Sequence, residues 1–182
     1  IFLPTHFAHA AGEFITTWKT DNAGTSGANQ ITIPTADGQP YDYDVDWGDD
    51  STSEDVAGSI THTYAEPGTY QVSITGTFSG LFFVLGGDRL KLLSVDQWGA
   101  ARWVSMSGSF FGCSNLSIEA SDAPDLSLVS DMTYAFRGSG LTTEDLRGWD
   151  MSTITIFLGM FQDTQFNGNI TTWDVSSAVQ LS

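Results

Sequence analysis

Two hydrophobic rhythms divide this chain. Over residues 14–78, apolar and polar positions alternate in short runs. From Met106 onward, large apolar residues recur four apart, about every 25 positions. In the first stretch, Tyr41-Asp-Tyr-Asp-Val-Asp-Trp47 places Tyr41, Tyr43, Val45 and Trp47 on one side of a strand. Asp42, Asp44 and Asp46 fall on the other. Further strands are predicted at 14–18, 30–34, 59–64 and 69–78. Turns at 24–29, 36–40, 48–51 and 65–68 are rich in Gly, Pro, Asp and Asn. Short alternating strands between such turns predict a β-sandwich.

The second stretch repeats itself. Met106/Phe110, Met132/Phe136 and Phe157/Phe161 are equivalent pairs, and their final Phe residues are 26 and then 25 positions apart. Trp149-Asp150-Met151-Ser152 returns 24 positions later as Trp173-Asp174-Val175-Ser176. A period of 20–50 residues is the mark of a stacked repeat architecture. The i, i+4 pair predicts a short helical turn with one apolar face, and Leu116 and Ile118 predict a short strand. One such unit cannot bury its apolar face alone, so units must stack.

Between the two lies the apolar run 81–85, then Gly86-Gly87, then a predicted strand over 90–98. No Gly/Ser linker interrupts it, so the two parts are expected to pack together. The expected organisation is a terminal segment 1–11, a sandwich 12–80 and a repeat region 81–182. Within the last, 81–104 is an irregular first repeat, 105–182 holds the regular ones, and the final one is incomplete. The fold class is mainly β with short helices.

Hydrophobic residues make up 41% of the 182 positions, enough for substantial cores. A net charge of −16 opposes nucleic-acid binding and docking on anionic lipid. No run approaches the roughly 20 apolar residues of a membrane-spanning helix, so membrane insertion is not expected. A lone cysteine, Cys113, precludes an intrachain disulfide and reads as a small buried hydrophobe. At the start, Ile1-Phe2-Leu3-Pro4 runs into Ala8-His9-Ala10, which resembles the end of a secretory leader. An ordinary first strand and a strand added to a neighbouring subunit are the other readings of this segment.

Two resemblances follow. Val45-Asp-Trp-Gly-Asp-Asp-Ser51, Ile60-Thr-His-Thr-Tyr64 and Pro67-Gly-Thr-Tyr-Gln-Val-Ser73 are similar in kind and order to the motifs of the PKD domain, an immunoglobulin-like sandwich. Asp50 stands where that family usually has Gly, so either the turn is less tight or Asp50 takes the left-handed conformation, which Asp tolerates better than most residues. Phe110-Phe-Gly-Cys-Ser-Asn-Leu116 resembles the core of the BspA-type leucine-rich repeat. Phe166-Asn-Gly-Asn-Ile-Thr-Thr-Trp-Asp-Val-Ser176 resembles the related bacterial surface repeats first noted in mycoplasmas. The likeness spans roughly 88–182 and implies a leucine-rich-repeat-like solenoid displayed on a cell surface. It implies adhesion or matrix interaction and does not imply a reaction.

Candidate chemistry is sparse. Asp46, Asp49 and Asp50 form an acidic turn that could hold calcium. The alternative is a solvated acidic face, since side chains at i and i+2 on one strand lie about 7 Å apart and do not converge. No cofactor other than that calcium is implied. His62 reads as a structural histidine, because no nucleophile elbow accompanies it. Gly86-Gly87 lacks the Lys-Ser/Thr of a phosphate loop. Trp98, Trp103, Trp149 and Trp173 are either ladder residues inside the stack or a row of rings that could bind a sugar or protein. In the second case Asp150 and Asp174 would supply acceptors. The expected function is a secreted, extracellular bacterial surface protein that is not an enzyme. It binds a glycan or protein through its repeat face, or binds copies of itself as a filament or surface-layer subunit. Accessory domains of a polysaccharide-degrading enzyme would require a catalytic domain outside this sequence.

Overall fold

A computed structural model describes residues 12–181. The terminal segment 1–11, with its leader and strand readings, lies outside the described residues. Eight strands form: β1 (Phe14–Lys19), β2 (Gln30–Ile33), β3 (Tyr41–Asp46), β4 (Thr52–Val56), β5 (Ile60–Thr63), β6 (Thr69–Phe78), β7 (Leu92–Gln97) and β8 (Ser117–Ile118). They make a six-stranded sheet in the order β4-β3-β6-β1-β7-β8 and a two-stranded sheet, β2-β5. The alternation in β3 has the expected outcome: Tyr43 and Val45 are buried, and Asp42, Asp44 and Asp46 are exposed.

Phe14, Trp18, Ile31, Ile33, Val72 and Ile74 fill the sandwich core. Two of its tyrosine hydroxyls find backbone acceptors. The Tyr43 hydroxyl donates to Gly58 O at 2.6 Å, and that of Tyr64 to Trp47 O at 3.1 Å. Asp50 adopts φ 67°, the left-handed one of the two readings, where the PKD pattern has Gly. Strand β4 lacks a prior signal. Its sequence, Thr-Ser-Glu-Asp-Val, is polar and mostly exposed, as suits the edge of a sheet.

The large sheet runs through the expected boundary at 80/81. β7 pairs antiparallel with β1, while β8 pairs parallel with β7. Outside the named strands, the isolated bridges among the described residues are all parallel: Arg102↔Asp125, Asp131↔Ile156, Asp145↔Asn169 and Ile156↔Gln180.

The predicted helical turns do not form, and no helix occurs among the described residues. A helix would return each N–H to the carbonyl four residues back. Here alternate N–H groups leave for the next layer. Those of Gly108, Phe110 and Gly112 donate to Thr133, Ala135 and Arg137 at 2.8–2.9 Å. Those of Tyr134, Phe136 and Gly138 donate to Leu158, Met160 and Gln162 at 2.8–3.0 Å. The groups between close three-residue turns, such as Ser109 to Met106, Ala135 to Met132 and Met160 to Phe157. Met and Phe still share one face, now turned into a column. Phe110, Phe136 and Phe161 stack with centroids 5.2 and 5.9 Å apart and planes within 15°.

A buried polar knot ties the 21–29 loop to the junction. Lys91 Nζ, fully buried, contacts Ser26 O, Ser26 Oγ, Gly27 O and Gln30 O at 2.7–3.2 Å. Ser26 Oγ is 2.6 Å from Asp88, itself fully buried and accepting from the N–H groups of Ser26 and Thr32. Burial holds the Lys91 ammonium below its ordinary pKa, against the opposing pull of Asp88 and Asp21. Gly24 is in close contact with this pair. A Cβ there would collide with both Asp88 and Lys91.

Candidate binding surface

The tryptophans belong to the interior. Trp98 and Trp103 are fully buried, and Trp149, 5% exposed, meets Trp98 edge-on at 5.2 Å. Trp173 is half-buried, stacks on Phe161 at 6.3 Å and donates from Nε1 to Leu146 O at 2.7 Å. Of the two readings, the ladder fits the packing of Trp98, Trp103 and Trp149, and Trp173 is half-buried at its end. The periodic stack has an apolar column to extend, and large flat rings fill it.

Asp150 and Asp174 are exposed, but their carboxylates serve the chain. Each accepts the N–H two residues on, from Ser152 at 3.0 Å and Ser176 at 2.9 Å. Asp125 and Asp131 do the same for Ser127 and Thr133. The recurrent aspartates are turn caps of the Asx type. Bonds from Ser127, Ser152 and Ser176 hold Asp125, Asp150 and Asp174 below the ordinary carboxylate value of 3.8.

The acidic turn is likewise committed to the fold. Asp46 Oδ1 accepts from Gly48 N. Asp49 accepts from Ser51 and lies 2.9 Å from His62 Nε2, whose ring stacks on Trp47 at 4.6 Å. Among the described residues no three His, Cys, Asp or Glu side chains are gathered to hold a metal ion. Asp46, Asp49 and Asp50 are thus not assembled as a calcium site. Burial pushes the Asp49 carboxyl up, but bonds from Ser51 and His62 outweigh it and bring it below 3.8.

These depressed carboxyls set the acid response. A carboxyl lowered in the fold adds stability above its unfolded pKa, and that contribution is lost as pH falls through the folded value. The thermal midpoint should hold steady down to about pH 4 and fall below it. Asp49→Asn, with its lowered carboxyl removed, should show a shallower fall in a melting series from about pH 6 to about pH 2.

A different face carries half-buried aromatic rings, those of Phe111 and Tyr134. Three turns share left-handed positions four residues apart: Gly108 and Gly112, Tyr134 and Gly138, Gly159 and Asp163. Tyr134, at φ 55°, stands where the layers on either side have glycine. A bulky residue there carries about 1–2 kcal/mol of backbone strain. Gly159 makes room for it, since a Cβ at Gly159 would lie 2.5 Å from the Tyr134 ring. The ring lies 5.8 Å from that of Phe111, and the Arg137 guanidinium covers both at 5.0 and 5.3 Å. Asp163 pairs with Arg137 at 3.1 Å. Leu85, 52% exposed, continues the strip one layer up through its N–H bond to Phe111 O. The sequence does contain a signal for this face, a tyrosine in a recurrent glycine position. It emerges only when the units are aligned on their Phe anchors.

Residues 79–182 match the family described as "Mycoplasma protein of unknown function, DUF285", and residues 8–79 match the PKD domain. No curated protein and no solved structure matches the chain.

Proposed function

The chain belongs to the mycoplasma DUF285 family, joined to a PKD domain in the manner of a surface protein, and from this we propose that it is an extracellular bacterial adhesion module. It acts by binding, without catalysis, and its partner is a glycan or protein. The repeat region is a BspA-like, leucine-rich-repeat-type solenoid, and the sandwich over 12–80 is its base. The layer-to-layer bonds and parallel bridges support the solenoid reading. No helix among the described residues is long and apolar enough to cross a membrane.

Tyr134 is the observation that carries the binding reading. Backbone strain retained at one position of a repeat, with glycine above and below, is a cost the stack does not need. It places a half-buried tyrosine ring beside Phe111 and against Arg137, and Tyr and Arg are enriched in binding hot spots. Tyr134→Gly separates the roles. Capture on a glycan array or on immobilised matrix proteins should fall by at least about fivefold, while the unfolding midpoint stays level or rises. A variant that loses stability and keeps its capture would defeat this assignment.

Self-assembly into a filament or surface layer is the second reading. It rests on exposed Ile170, Val175, Val179 and Leu181 in the last described unit. Electron microscopy of purified protein distinguishes ordered polymers from single particles.

A further inference from the structure

A cleft of about 230 Å³ opens where the sandwich meets the repeats, lined among others by Asp37, Gln39, Tyr41, Ser79, Phe82 and Ser105. Its walls are the 36–40 turn and the 79–82 link, and they are fastened to each other. Tyr41 Oη accepts from Ala36 N at 3.2 Å and donates to Gly80 O at 2.9 Å, so one hydroxyl holds both walls. Ser79 Oγ donates to Pro40 O at 2.5 Å. Gly80, at φ 126°, lies against the buried Trp103 ring so closely that a Cβ would collide with it. A cleft braced in this way is formed before any ligand arrives, which lowers the ordering cost of binding.

Phe82 supplies the second observation. It is 39% exposed between buried Leu81 and Phe83, and its N–H donates to Pro34 O at 3.1 Å, which pins it to the sandwich. Immediately after Phe83, Val84 and Leu85 are both left-handed, at φ 44° and 61°. Two consecutive branched residues in that region, one of them β-branched, form a rare and strained turn. The turn lets Phe83 enter the core and bond Ser109 O while Phe82 remains on the rim of the cleft.

We propose that this junction cleft is a binding subsite for one neutral pyranose ring of a polysaccharide. Its volume falls below the roughly 300–1,000 Å³ of sites for drug-sized molecules and suits a single ring. Phe82 offers a flat apolar face for the C–H side of a sugar. Asp37, Gln39 and Ser105 offer acceptors and donors for its hydroxyls. The one charged group in the lining is a carboxylate, and the chain carries −16 overall, so anionic sugars are disfavoured. This subsite is separate from the Tyr134 face and does not depend on it.

The test is an amide and aromatic NMR titration of the full chain with methyl glycosides of glucose, galactose, mannose and N-acetylglucosamine, and with methyl glucuronide. At least one neutral glycoside should give saturable shifts at residues 36–41 and 79–82. Phe82→Ala should weaken that binding by about tenfold and Gln39→Ala by a smaller factor, both with unchanged melting. Tyr134→Gly should leave it intact, so failure here is distinct from failure of the repeat-face reading. The subsite is overturned by absence of saturable shifts with every neutral sugar. Shifts that Phe82→Ala leaves unchanged, or equal response to the glucuronide, overturn it as well.

Discussion

Phe136→Ala is expected to destabilise the protein by about 3–5 kcal/mol, the range for deleting a fully buried aromatic side chain. Phe136 is the middle member of its column, stacked on Phe110 and Phe161 and tilted against Trp149 at 5.9 Å. Removing it opens a cavity bounded by three rings, and the backbone cannot close that cavity without breaking the bonds from Phe136 N–H to Met160 O and from Phe110 N–H to Ala135 O. Phe161→Ala should cost less, because Phe161 is half-buried and its neighbourhood can relax. In a stack, stability is a sum over units and their interfaces. Phe136 has the fully buried Phe110 and the nearly buried Trp149 around it, whereas Phe161 has the half-buried Phe166 and Trp173 on its far side, where loss is more easily accommodated. Urea unfolding followed by tryptophan fluorescence should order the variants with Phe136→Ala below Phe161→Ala. Equal losses would mean that the column does not transmit stability between layers.

Asp88→Asn and Lys91→Met should each cost about 3–5 kcal/mol, the penalty for removing one member of a buried charged network. Without Lys91, the carbonyls of Ser26, Gly27 and Gln30 lose their shared donor. Without the Asp88 charge, two backbone N–H groups and the Ser26 hydroxyl lose a strong acceptor. Their double variant should cost clearly less than the sum of the two singles, since each single strands the other's charge. Calorimetric melting of the four proteins measures that coupling, and strict additivity would show the knot to be two independent contacts.

The two rhythms of the chain were legible because burial enforces them. β3 and β6 could be drawn from alternation alone, and the Met/Phe pairs identified the column. The period could not reveal how the backbone turns within a unit. Apolar residues four apart fit an α-helix, and they equally fit paired three-residue turns with left-handed corners. Glycines at 108, 112, 138 and 159 were the distinguishing sign. β4 was illegible because an exposed edge strand needs no apolar face, and Thr-Ser-Glu-Asp-Val has none until Val56. The Lys91 knot was hidden for another reason. Its two sides, Ser26–Thr32 and Asp88–Lys91, meet across 56 to 65 residues of sequence, and nothing local marks Ser26 as a partner. Trp149 was ambiguous in principle, because a ladder ring and a binding ring share one spacing. Only packing against Trp98 and Phe136 tells them apart.

The sheet that crosses from sandwich to repeats has a mechanical meaning. A chain with a flexible linker at residue 80 would swivel under load and let each part orient by itself. Here, tension between the sandwich and the repeats must shear β1 from β7, strands whose paired residues include Thr16 with Val95 and Trp18 with Leu92. Shear loads several backbone hydrogen bonds at once instead of opening them singly. The paired strands therefore hold the repeat region at a fixed angle to the sandwich, where a free linker would let it swivel.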